Sequence, residues 1–112
     1  MRITTREAGE VTIIDIDGEL ELGNVDRLRN AGRSALEHGA RKLLLNLARV
    51  TAIDEAGIDE LRSLGVAASR SGAKLRLYGL RQGAVELLAI TKLLTVFDTY
   101  ETEADALASF AA

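Results

Sequence analysis

Two adjacent carboxylates, Asp54 and Glu55, stand directly before Ala56 and Gly57 at the head of an apolar repeat, and are the first residues to weigh for chemistry. A pair of carboxylates suggests acid/base work, but residues of this kind at a helix start more commonly serve as a cap and a first-turn charge. Asp54 is expected to accept a hydrogen bond from an unpaired amide of that helix and, with Glu55, to oppose the positive end of its dipole. His38 is the single histidine. No Asp or Glu at ligand spacing surrounds it, so it reads as a helix C-terminal cap rather than a metal ligand.

Other constellations fail in the same way. No serine lies in a Gly-x-Ser-x-Gly elbow, neither a P-loop nor a Gly-x-Gly-x-x-Gly turn is present, and Gly79 to Gly83 (GLRQG) reads as a loop entering a helix. With no cysteine in the chain, thiol catalysis, thiolate metal sites and disulfides are excluded. Arg27, Arg29 and Arg33 could form a positive strip, yet Asp26 and Glu37 alternate with them, which describes a solvated face. The expectation is a non-enzyme with no catalytic residues, no metal and no cofactor.

The elements that would position these residues follow from hydrophobic period and glycines, since the chain has no proline. Val11 to Asp17 is β-branched and closes at Gly18, which predicts a strand, paired with a shorter one near Ile3 across a turn at Ala8-Gly9-Glu10. From Asn24 as N-cap, Val25, Leu28, Gly32, Ala35 and Leu36 predict a helix that stops at His38-Gly39. Lys42 to Leu47 predicts a buried central strand. Ile58, Leu61, Gly65 and Ala68 mark the inner face of the helix opened by Asp54, with Asp59, Glu60, Arg62 and Ser69 on other faces and Ser71-Gly72 at its end. Lys74 to Tyr78 alternates as a strand does, Gln82 to Ile90 predicts a third helix, and Val96-Phe97 a last short strand. Thr102 is a candidate cap for a final helix whose stripe is Ala104, Leu107, Ala108 and Phe110.

Together these predict an α/β fold. A mixed, mostly parallel sheet of four to five strands begins with an N-terminal hairpin and is covered by about four helices, in one domain over residues 1–112. Hydrophobic residues at 47% and charged residues at 28% fit a soluble globular chain. Aromatics at 4% and a net charge of -3 speak against nucleic acid, which is bound through basic stripes and stacking platforms. The start MRITTREAGE has no apolar core of a secretory signal, and no apolar run approaches the roughly 20 residues that span a bilayer. No membrane insertion and a cytoplasmic location are expected.

The segment Leu43 to Leu61, LLLNLARVTAIDEAGIDEL, resembles the signature of the STAS family, whose regulatory members antagonise bacterial anti-sigma factors. In that family an apolar strand ends in Asp or Asn, and an Asp-Ser-Ser/Thr-Gly-like turn opens the next helix. The matching residues are Asn46, Asp54, Glu55, Ala56 and Gly57, with further likeness at Gly18-Glu19-Leu20, at Lys74 to Leu77 and at Ala104 to Phe110. The resemblance implies a partner-binding surface at Asp54, Glu55, Ala56, Gly57 and Ile58, and as partner an anti-sigma factor with a kinase-type fold. One departure bears on regulation: Ala56 stands where phosphorylated members carry the acceptor hydroxyl. The usual phosphorylation switch is therefore not expected at Ala56, and Thr51 is the alternative hydroxyl nearby. Two further expectations stand beside the antagonist: a structural STAS subunit of a lipid-transport or stressosome-like assembly, and a nucleotide-binding regulator.

Overall fold

The computed structural model describes residues 1–82 and 97–111. Strand β1 (Arg2–Ala8) and strand β2 (Val11–Leu20) form the expected antiparallel hairpin, turning at Gly9, whose φ of 61° suits a residue without Cβ. Helix α1 (Val25–Glu37) crosses to β3 (Lys42–Ile53), and α2 (Glu55–Arg70) crosses to β4 (Lys74–Tyr78). A short β5 (Asp98–Tyr100) and helix α3 (Glu103–Phe110) complete the described chain. Among the described residues the sheet has five strands in the order β1-β2-β3-β4-β5, antiparallel at the hairpin and parallel thereafter.

Both faces of this sheet are used. Ile14, Ile16, Leu43, Leu45, Leu47 and Leu77 point to one face and meet Val25 and Leu28 of α1 and Ile58, Leu61 and Leu64 of α2. On the other face Val11, Ile13, Leu44 and Tyr78 meet Ala106 and Phe110 of α3. Parallel strands covered twice explain why Leu43, Leu44 and Leu45 run apolar without alternation. The helices α1 and α2 approach closely at Gly32, where a Cβ would lie 2.5 Å from Leu64 Cδ1.

Several boundaries differ from expectation. Strand β2 does not close at Gly18 but continues to Leu20, and β3 runs beyond Leu47 to Ile53, because the two extensions pair with each other: Gly18 faces Val50 and Leu20 faces Ile53, with a register shift after Gly18. The last described strand is Asp98–Tyr100; of the expected Val96-Phe97, Val96 lies outside the described residues and Phe97 precedes the strand, its ring buried in the core. Helix α3 turns Ala106 and Phe110 inward with Leu107 and Glu103 beside them, leaving Ala104 and Ala108 exposed. Glu60, expected on an outer face, is 5% exposed and ion-paired with Arg29 of α1 at 2.8 Å. The predicted helix from Gln82 to Ile90 falls almost wholly outside the described residues. Among the described residues no helix is long and apolar enough to cross a membrane.

Candidate functional site

Strands β2 and β3 end side by side, and what they deliver to that end of the sheet is the N-terminus of α2 together with the loop leading into α1. Asp54 is the N-cap: its backbone is extended and its Oδ1 accepts the Gly57 amide at 2.9 Å. The second oxygen, Oδ2, accepts the Leu22 amide at 3.1 Å. Its own amide donates to the Leu20 carbonyl at 3.3 Å. One carboxylate thus ties the entry of α2 to the loop that follows β2. The Gly57 bond, followed by those from Leu22 and Ala56, holds the Asp54 carboxyl below its usual range.

Gly57 carries no side chain because the Leu20 carbonyl occupies its place. A Cβ there would lie 2.4 Å from that oxygen and 2.8 Å from Ile53 Cγ1. Asn24 occupies the N-cap position of α1 as expected, but its side chain makes no capping bond to the helix. Its amide instead donates to the Glu19 carbonyl at 2.6 Å and its oxygen accepts the Glu21 amide at 2.9 Å, which folds the β2–α1 loop onto itself.

This pinned loop presents Leu22 to solvent with 76% of its surface exposed, one of two large hydrophobics so placed among the described residues. Glu21 precedes it in the chain and Asp54 accepts its amide hydrogen, while Glu19 lies within hydrogen-bond reach of Glu21. Sharing a hydrogen bond with Glu19 and facing its charge raises the Glu21 carboxyl above its usual range. Of the residues expected to form the surface, Glu55 is exposed, Asp54 and Ala56 are half-buried, and Gly57 and Ile58 are buried. Ile58, 1% exposed, belongs to the core, so these last two shape the surface from beneath instead of offering contact atoms. Thr51 is exposed near the end of β3. Leu22 had no sequence signal of its own, because an isolated leucine between Glu21 and Gly23 reads as ordinary loop.

The matching apolar strand carries Asn46 toward the opposite face. There Asn46 donates to Asp15 at 2.8 Å and accepts from the Ala48 amide at 3.0 Å. Asp15 also holds Arg6 at 2.7 Å, and Arg6 pairs with Glu103 of α3, which accepts from the Tyr78 hydroxyl at 2.9 Å. The Arg6 guanidinium holds the Asp15 and Glu103 carboxyls below their usual range, while burial first and Glu103 second push Tyr78 up to about 12. His38 occupies the C-cap of α1, its Nδ1 2.7 Å from the Ser34 carbonyl.

A family model described as STAS domain matches residues 2–106. The chain belongs to the STAS domain family. Among solved structures, this STAS domain is similar to a putative anti-sigma factor antagonist from Thermotoga maritima, with 21% identity over 98% of this chain and 95% of that one and a TM-score of 0.92. An anti-sigma factor antagonist from Mycobacterium paratuberculosis superimposes at a TM-score of 0.90, with 16% identity over 99% and 94% of the two chains. The anti-sigma factor antagonist SpoIIAA in its unphosphorylated form gives 0.82, with 17% identity over 98% and 96%. No curated protein matches the chain by sequence.

Proposed function

We propose that this STAS domain is an anti-sigma factor antagonist-like binding module that docks through the α2 N-terminus and the β2–α1 loop, without a phosphorylation switch at Ala56. The observation that carries it is Leu22, an exposed apolar side chain whose amide is held by the Asp54 cap and which stands beside the Glu21 and Asp54 carboxylates. An exposed apolar side chain that docking desolvates inside a polar rim has the anatomy of an interface core. Its acidity calls for a partner surface with a small apolar pocket flanked by Arg or Lys. Antagonists are prominent among the structural neighbours, which supports an anti-sigma factor, by family resemblance one with a kinase-type fold, as the partner.

Ala56 offers no oxygen to a kinase, and its methyl packs partly on the core. The docking surface is therefore constitutively open. Affinity capture from extract of the native cell, run in parallel with the wild-type chain and Leu22→Asp, tests the reading. An ATP-binding anti-sigma factor retained by the wild type and lost from the variant supports it; retention only within a large assembly that Leu22→Asp leaves intact replaces it with a permanent structural subunit.

A further inference from the structure

The C-terminal half of α2 carries a second surface of opposite sign. Between α1 and α2 runs an open groove of about 620 Å³ lined by Arg33, Arg62, Ser63, Val66, Ala67 and Arg70. All three arginines are exposed. Arg62 is held by Asp59 at 2.9 Å, whereas Arg33 and Arg70 form no ion pair among the described residues. Val66, in the same lining, is 48% exposed, and with Leu22 completes the set of exposed large hydrophobics among the described residues. It lies twelve residues beyond Asp54, roughly 18 Å further along the helix axis, so the two surfaces are separate.

In a chain of net charge -3, two unpaired guanidiniums beside an exposed valine are a local reversal of charge. We infer that this groove binds an acidic amphipathic segment of a protein partner, with an apolar side chain on Val66 and carboxylates on Arg33 and Arg70. Guanidinium forks match carboxylates in bidentate geometry, and the helix-flanked groove has the form that receives an amphipathic helix. A lipid surface is a poorer match, since polybasic recognition of anionic membranes takes clusters of about four to eight cations. Nucleic acid is disfavoured too, because no aromatic ring lines the groove to stack a base.

The test is fluorescence anisotropy with the full chain and a labelled helical peptide of about 14 residues, four turns, bearing a leucine stripe flanked by glutamates. Saturable binding is expected that weakens about tenfold or more in Arg33→Glu/Arg70→Glu, weakens clearly in Val66→Asp, and fades at high salt. Leu22→Asp should leave it unchanged, which separates this surface from the docking site above. Each variant is first checked for an unchanged melting temperature; because the four altered side chains are exposed, the fold should hold. Equal affinity of the double Arg variant, or amide shifts at the α2 N-terminus instead of at Ser63 and Ala67, would overturn the inference. So would Arg33- and Arg70-dependent binding to phosphatidylserine vesicles or single-stranded DNA with none to the peptide.

Discussion

Asp54 and Leu22 stand far apart in the chain, yet the Leu22 amide donates to Asp54 Oδ2 at 3.1 Å while Oδ1 of the same carboxylate caps α2 at Gly57. The residue that starts the helix also fixes the posture of the exposed leucine. Asp54→Ala should therefore destabilise the fold by about 1 kcal/mol, the usual loss for a removed cap, and also weaken partner binding by releasing the loop. Asp54→Asn keeps an oxygen for one amide and should lose less in denaturant unfolding. Equal denaturation midpoints for all three proteins would dismiss the cap.

Gly57→Ala is expected to be more damaging than any surface change nearby. The new methyl would meet the Leu20 carbonyl at 2.4 Å, and a backbone oxygen that also accepts the Asp54 amide has little room to retreat. Overpacking of this kind costs roughly 1–3 kcal/mol, and chemical denaturation should show it as a lower midpoint with an unchanged slope.

Regulation can be read by charge. Incubated with labelled ATP and the proposed kinase-type partner, the wild-type chain should take up no label; a label mapped to Thr51 would show that the switch has moved. Ala56→Glu should weaken partner binding strongly, since it adds charge where a phosphate would sit. Glu55→Gln should change affinity only modestly, and less at high salt, because one residue turns a helical side chain by about 100°. A large gain of affinity in Glu55→Gln would reveal a built-in imitation of an inhibited form instead.

On the far face, acid should loosen α3. Asp15 and Glu103 have carboxyls depressed by Arg6, so the folded state holds fewer protons than the unfolded chain through the carboxylate range. The stabilisation is complete above the ordinary carboxylate value and is lost as pH falls through the depressed folded values. With the Arg6 side chain 44% exposed, solvent screening keeps the effect modest: Arg6→Met should cost about 1 kcal/mol near neutrality. The difference between Arg6→Met and wild type should shrink toward zero in strong acid, as measured by urea unfolding across pH.

The parts of this fold that could be read from sequence are those whose periodicity is self-contained. Lys74 to Tyr78 alternates on its own, and α2 shows its apolar face and its Asp54 cap within one stretch. The second half of β3 does not: Ala48 to Ile53 becomes a strand by pairing with Asp17 to Leu20, a partner some thirty residues away. Glu60 was misplaced for the same reason, since its burial depends on Arg29 arriving from another helix. At the site, the cap was visible and the exposed anchor was not, because exposure is a property of what the rest of the chain fails to cover.

The five strands lie in the sheet in the order in which they occur in the chain. Each strand therefore joins an edge that its predecessor has just completed, and none has to be threaded between two already in place. A chain leaving the ribosome N-terminus first can lay the sheet down strand by strand, with the hairpin as its seed and the α1 and α2 crossovers covering the new surface as they emerge. The contact between Arg6 and Glu103 stands outside that sequence, joining the first strand to the last described helix. Because Glu103 follows all the described strands in the chain, this contact needs α3 to be synthesised and docked, and it then clasps the first strand to the last described helix.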